Sequence, residues 1–370
     1  MKQYLDLLKE LQAATVKDNR TGISAASKFF NHIEFDIAKD GLPIVTTKQL
    51  AVKSVIGELL GFIRGSSDNA EFNSLKCKVW NDNANNHGTD MEGNLVENRW
   101  LSNPFRKGED DLGRIYGVQW RDWDHTTYIH ENDPDAPTVG DMENLGYEHM
   151  GLLLSKGLHV YRKKVDQLKW AISELINNPL NRRILISAWN PGDMDKMSLP
   201  PCHLLQHYQC MPMSLEERIE YAHQNIEGYE ELLLDSDDPN GVPVLEAELD
   251  IEGVPKYTLN LMIYIRSNDV CLGTPFNMAS YAIMLEIMSR LTGHAVGTLH
   301  YVTGDTHIYT NHGDAIKEQL ERTPIENKVT LEMNPNLKTL EDFEKATPDD
   351  FKLVNYEHCG KLNSPTPMAI

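Results

Sequence analysis

From Asn277 to Leu291 the chain reads as a helix with almost no polar side, carrying Met278, Ala279, Tyr281, Ala282, Ile283, Met284, Leu285, Ile287 and Met288. A helix that is apolar all round has no face to give to water and must be buried. The 370 residues can supply a substantial core around it, in one large domain or two. Tyr257 to Ile265, Arg183 to Trp189 and Phe29 to Ile37 read as strands. Helices are expected at the amino terminus, at Ser54 to Ile63, and from Val160 to Asn177, where Val165, Leu168, Ala171, Ile172 and Leu175 share a face. Asn19 to Gly22, the Asn- and Gly-rich stretch Asn81 to Gly113, and His125 to Gly157 read as loops.

A net charge of −20 argues against a nucleic-acid or anionic-membrane surface, both of which call for basic patches. Pro212 to Glu252 alone holds thirteen acidic residues against one basic residue, Arg218. Leu215, Ile219, Ala222, Ile226, Tyr229 and Leu233 recur there at helical spacing, so the segment reads as an inserted amphipathic helix with a solvated acidic surface. No apolar run reaches the roughly 20 residues that cross a bilayer, and the amino terminus reads as a helix rather than a signal peptide. Cysteines fall at 77, 202, 210, 271 and 359, an odd number with no CxxC pair and no zinc spacing. That argues against a disulfide framework or structural metal and fits reduced thiols in the cytoplasm.

The chemistry concentrates at Leu199-Pro200-Pro201-Cys202-His203, nineteen residues beyond the pair Arg182-Arg183. A thiol attacks as thiolate, and nearby positive charge lowers its pKa. Arginines that grip a phosphate could supply that charge and hold the substrate together. The pattern is that of a cysteine nucleophile acting on a phosphorylated small molecule. Cys77, Cys210, Cys271 and Cys359 read as structural thiols, and Arg64, Arg106 and Arg162 as surface ion-pair residues.

With these residues go Asn19-Arg20-Thr21-Gly22, Leu42-Pro43-Ile44-Val45-Thr46-Thr47-Lys48, Glu58-Leu59-Leu60 and Val79-Trp80. Further on stand Ile115-Tyr116-Gly117-Val118-Gln119-Trp120-Arg121, Ser187-Ala188-Trp189-Asn190-Pro191, Arg266-Ser267-Asn268-Asp269, Pro275-Phe276-Asn277, His307-Ile308-Tyr309 and a terminal Pro367-Met368-Ala369-Ile370. In this order, nearly end to end, they resemble the thymidylate synthase family. The resemblance implies an α+β fold: a large mixed β-sheet flanked by helices, one sheet face forming a homodimer interface. It implies a single catalytic domain over residues 1–370, with insertions near 84–112, 124–158 and 211–256. It also implies one-carbon transfer from 5,10-methylenetetrahydrofolate to carbon 5 of dUMP, without a metal.

The same resemblance implies the roles. Cys202 adds to carbon 6 of the uracil, making carbon 5 nucleophilic. Glu58, buried in an apolar helix, is the proton shuttle, with Tyr116, His203 and Asp269 in supporting catalytic positions. Arg20, Arg266 and Ser267 match the phosphate site, and Arg182 and Arg183 reach the phosphate of the neighbouring subunit. Asn268 also belongs to the substrate set. Asn277 reads the base, its carboxamide suiting uracil where an aspartate would suit cytosine. His307 and Tyr309 match the ligands of the 3′-hydroxyl. Lys48, Trp80, Asn83, Asp269, Gly273, Phe276 and the tail residues Ala369 and Ile370 match the folate side.

Departures gather on that side. Ile23-Ser24-Ala25 replaces a glycine-threonine run, Gln49 a basic residue, Ile265 a glutamine and Gly61 a tryptophan. Arg266-Ser267-Asn268-Asp269 also looks like the version found in bacteriophage dUMP hydroxymethylases, which hydrate the methylene intermediate, giving 5-hydroxymethyl-dUMP and tetrahydrofolate in a host cytoplasm. Trp80 and the Met-Ala-Ile tail speak for a closed, dry site and hence for reduction to dTMP. A non-catalytic nucleotide-binding scaffold is the remaining alternative, and intact Cys202, Glu58 and Asn277 speak against it.

Overall fold

The computed structural model describes residues 1–19, 22–89, 94–226 and 241–367. In chain order its main strands are β1 (Val16–Lys17), β2 (Ala25–Asp36), β3 (Trp123–His130), β4 (Glu148–Leu153), β5 (Leu158–Val165), β6 (Leu185–Ser187), β7 (His203–Pro212), β8 (Tyr257–Asp269) and β9 (Ala295–Tyr309). The helices that matter here are α1 (Lys2–Gln12), α2 (Val52–Arg64), α3 (Tyr116–Arg121), α4 (Gln167–Asn177), α5 (Leu215–Asn225), α6 (Gly241–Ile251) and α7 (Gly273–Thr292). A six-stranded mixed sheet runs β1-β2-β9-β8-β7-β6. Only β8 and β9 pair in parallel within it. Parallel neighbours need a crossover between them, and α7 is that crossover.

The all-apolar helix is thus buried for a topological reason. It lies between β8 and β9 on one side and α2 and α4 on the other. Met278, Ala282, Ile283, Met284, Leu285 and Met288 are completely enclosed. On β8, Leu259, Leu261, Ile263 and Ile265 point into this core while Asn260, Met262, Tyr264 and Arg266 turn to the other face and stay part-exposed. Burying each such aliphatic side chain contributes about 1.5–3 kcal/mol, so the β8–α7–β9 unit is held rigidly.

Two expectations fail. The helix expected from Val160 is a strand as far as Val165, and α4 starts only after Asp166, whose carboxylate accepts the Lys169 N–H at 2.9 Å. The stretch read as a loop from His125 to Gly157 holds β3 and β4, which with β5 form a separate antiparallel sheet ordered β3-β5-β4. Val160, Tyr161 and Val165 suit a pleated surface as well as a helix, and pairing with β3 decides between the two.

In the acidic segment, α5 ends at Asn225, short of the expected Tyr229 and Leu233, which lie outside the described residues. It packs with α6 around Ala222, Leu245, Leu249 and Val254, and Arg218 bridges to Asp250 at 2.7 Å. Among the described residues no helix is long and apolar enough to cross a membrane.

Candidate active site

Cys202 stands at the entrance to β7, directly after two prolines whose carbonyls are free to accept. Arg266 of β8 uses them: its Nε donates to the Pro201 carbonyl at 2.8 Å and its Nη2 to the Pro200 carbonyl at 2.9 Å. Its backbone N–H donates to the Cys202 carbonyl at 2.8 Å. The guanidinium is thereby pinned with Nη2 3.9 Å from the Cys202 sulfur, and its carbon lies 5.6 Å from the Trp189 ring centre. The Cys202 N–H donates to the Tyr116 hydroxyl at 2.7 Å. Burial pushes the Cys202 thiol above its ordinary value, while Arg266 and the Tyr116 hydroxyl oppose that rise. The expected cationic help is therefore present, from one arginine, and burial outweighs it.

Behind the thiol is an aromatic wall. Tyr116 stacks on His203 with ring centres 4.1 Å apart and on Phe62 at 5.0 Å. His203 Nδ1 lies 2.6 Å from the Tyr281 hydroxyl, and burial lowers the imidazole to about 3, so it is neutral. His203 Nδ1 is thus engaged by Tyr281 rather than by its neighbour Cys202. Glu58 of α2 is buried and accepts the Trp80 indole N–H at 2.9 Å. Burial raises its carboxyl to about 8, with the Trp80 bond acting in the opposite direction.

The parallel register of β8 and β9 places Ser267 beside Asp305, Asn268 beside Thr306 and Asp269 beside His307. His307 Nδ1 is 3.0 Å from the Asp305 carboxylate, and the His307 ring meets Tyr309 edge-on at 5.1 Å. Asn268 is fully enclosed: its Nδ2 donates to Thr274 at 2.8 Å and its Oδ1 accepts the Tyr301 hydroxyl at 2.9 Å. Asp269 accepts the N–H groups of Cys271 at 2.8 Å and Leu272 at 3.2 Å, fixing the turn into α7. A Cβ at Gly273 would stand 3.8 Å from both Asp269 and the Asn277 amide, so these three converge.

Lys48 donates to the Cys271 carbonyl at 2.6 Å, and burial lowers its pKa. It opens onto a cleft of about 420 Å³ lined also by Leu50, Leu272, Phe276 and residues 361–366. Asn83 is half-buried on the short helix after Trp80, where its carbonyl accepts from Asn98 at 3.1 Å. Arg182 and Arg183 stand exposed between α4 and β6, with no ion pair among the described residues and no bond to the Cys202 group. Arg20, Ala369 and Ile370 lie outside the described residues. Arg64 and Arg162 pair with Glu71 and Asp124 as expected, but Arg106 donates instead to the Ala84 carbonyl at 3.0 Å.

A family model described as thymidylate synthase matches residues 2–369. Proteins named thymidylate synthase from Pseudomonas putida and Bordetella parapertussis are each 36% identical over 375 residues, covering 99% of both chains. A third, from Pseudomonas syringae pv. tomato, is 35% identical over 378 residues with the same coverage. The chain belongs to the thymidylate synthase family.

Family membership puts the residues that sequence reasoning left without a role in a new light. Trp189 lies in the Ser187–Pro191 motif and Tyr281 on the apolar helix, yet only the structure sets Trp189 beside the Arg266 guanidinium and Tyr281 against His203. Trp80, expected on the folate side, turns its N–H to Glu58. Gly61, where the resemblance implied a tryptophan, faces the Phe72 ring so closely that a Cβ would stand 2.3 Å from Phe72 Cε1.

Proposed function

We propose that this protein methylates dUMP reductively at carbon 5 with 5,10-methylenetetrahydrofolate, giving dTMP and dihydrofolate. The observation that carries the reading is an arginine-pinned thiol, Arg266 Nη2 to Cys202 Sγ at 3.9 Å, in a chain that matches this family from end to end.

Cys202 forms the covalent bond to carbon 6, and the negative charge that develops on the carbon 4 carbonyl is met by Asn277. Arg266 binds the nucleotide phosphate together with Ser267 and Arg20, and stabilises the thiolate before attack. Asn277 donates to the carbon 4 oxygen and accepts from the ring N–H. His307 and Tyr309 hold the 3′-hydroxyl. Asn268, saturated inside the protein, positions the loop rather than touching substrate. Glu58, with a carboxyl near 8, exchanges a proton with the base through water, and the Tyr116–His203 stack keeps the Cys202 turn rigid. The cleft beside Phe276 and Lys48 combines apolar surface with a cation and falls within the usual 300–1,000 Å³ of ligand sites, which suits a flat ring bearing carboxylates. Lys48, Asn83, Asp269, Gly273, Phe276, Ala369 and Ile370 would hold the folate there, with Trp80 behind them. When bound, the folate supplies the one-carbon unit and the hydride that completes the methyl group.

The proposal includes a single catalytic domain with three insertions, a cytoplasmic setting, and a homodimer in which Arg182 and Arg183 complete the partner's phosphate site. The exposed position of those two arginines, without an ion pair among the described residues, and the part-exposed outer face of β8 support that assembly. Incubating the protein with dUMP and 5,10-methylenetetrahydrofolate, and analysing both products, tests the reaction. Dihydrofolate with dTMP is expected; tetrahydrofolate with 5-hydroxymethyl-dUMP overturns the proposal.

A further inference from the structure

The loop between Trp189 and Cys202 is organised around one carboxylate that the chemistry above does not use. Asp193 is buried, and four side chains donate to it. Arg114 Nε reaches its Oδ2 at 2.6 Å, Gln119 Nε2 at 3.0 Å and Asn190 Nδ2 at 3.2 Å, while Lys196 Nζ reaches Oδ1 at 2.8 Å. Gln119 is itself fully enclosed: its amide oxygen accepts from Asn190 at 3.2 Å and its nitrogen also donates to the Arg114 carbonyl at 3.0 Å. Burial works to raise the Asp193 carboxyl, but the bonds from Lys196, Gln119 and Arg114 outweigh it and hold the group below its ordinary value, so it is ionised. Charge-assisted bonds of this kind are roughly twice as strong as neutral ones.

Three of the four donors lead to the thiol. Gln119 lies on α3, whose first residue, Tyr116, accepts the Cys202 N–H at 2.7 Å. Asn190 follows Trp189, whose ring faces the Arg266 guanidinium. Lys196 opens the run to Pro200 and Pro201, whose carbonyls pin that guanidinium. The run is also strapped to the chain before α3: the Arg114 N–H donates to the Lys196 carbonyl at 2.8 Å and the Ser198 N–H to the Leu112 carbonyl at 2.9 Å. Asp193 thus ties together the three supports of the Cys202–Arg266 pair, namely the Tyr116 hydroxyl, the Trp189 ring and the proline carbonyls. We propose that Asp193 is a positioning residue for the reaction, setting the Arg266 guanidinium against the Cys202 sulfur through the loop that it locks. The inference rests on the reading of Cys202 as the nucleophile.

The direction of the effect separates this role from two simpler ones. Loss of an anion, taken alone, leaves more positive potential at Cys202 and favours the thiolate. A merely loosened loop exposes the thiol and relieves the burial that raises it. Both speed alkylation, whereas displacement of Arg266 slows it. The test follows iodoacetamide alkylation of Cys202 by peptide mass in the full chain, in its native assembly. In Asp193→Asn, which keeps the shape of the side chain, alkylation at about pH 8 should slow roughly 3–10-fold, with the pH profile displaced upward. On an Arg266→Gln background the same substitution should change the rate by less than about twofold, because the cation through which it acts is already gone. Should Asp193→Asn fail to fold, Asn190→Ala cuts only the tie beside Trp189 and should slow alkylation in the same direction. An unchanged rate, a faster one, or slowing that multiplies in the double variant overturns the proposal. Alkylation needs no substrate, so a parent that makes no dTMP yet gives the expected series counts against the methylation reading and leaves this inference standing.

Discussion

Replacing Glu58 by glutamine should remove catalysis and, above neutral pH, stabilise the protein. The carboxyl is buried, accepts one hydrogen bond from Trp80 at 2.9 Å, and is raised from 4.5 to about 8. Between those values the folded chain keeps a proton that the unfolded chain has lost. Stability contributed by that proton is therefore present at low pH and disappears as pH rises toward 8. The difference of about 3.5 pH units sets a ceiling of about 5 kcal/mol per chain. Unfolding entropy of roughly 2.1 cal/mol/K per residue over the 370 residues converts that ceiling into about 6 °C of melting temperature. Glutamine has the same shape, can still accept from Trp80 and does not titrate. Differential scanning calorimetry of both proteins at equal concentration should show the variant melting about 6 °C higher at pH 8.5 and only about 1 °C higher at pH 5. Turnover should fall about 10²–10⁴-fold, the usual worth of a positioned acid–base group. An offset that is the same at both pH values would refute the raised carboxyl, and normal turnover would refute its role.

Arg266→Gln removes the cation beside Cys202, so the thiol should titrate higher still, and its alkylation at pH 8, followed by peptide mass, should slow about tenfold; equal rates would show that Arg266 does not act on the sulfur. Asn277→Asp should shift preference from dUMP toward dCMP, and unchanged selectivity in competition assays counts against base reading at this position. Mixing an inactive Cys202→Ala protein with an inactive Arg182→Ala, Arg183→Ala protein should restore about a quarter of the parental sites in heterodimers, as random pairing of two chains that share each site requires. Failure to recover activity while subunits demonstrably exchange would remove the shared phosphate site.

The parts of the fold legible in the sequence were those with one dominant period. The alternating Tyr257–Ile265 run and the continuously apolar Asn277–Leu291 run each allow one structure, and β8 and α7 extend them by only a few residues. Residues 160–165 were misread because their apolar positions fit two periods, and the partner strand that settles the matter lies about 35 residues upstream. The site divides in the same way. Cys202, Arg266, Asn277 and Glu58 were singled out because each sits in a short, ordered motif. The Glu58–Trp80 and His203–Tyr281 pairs were not, because they join residues 22 and 78 positions apart and nothing local marks one as the partner of the other.

The contact between Gly61 and Phe72 has a consequence for what substitutions the two positions can take. A tryptophan at position 61, as the resemblance implied, cannot be accommodated while the Phe72 ring occupies that volume, since even a Cβ would overlap it. A smaller residue at position 72 must come first, and that step alone opens a cavity costing about 3–5 kcal/mol. Each change alone costs stability that the pair together recovers, so the two positions are coupled through the aromatic packing behind Glu58.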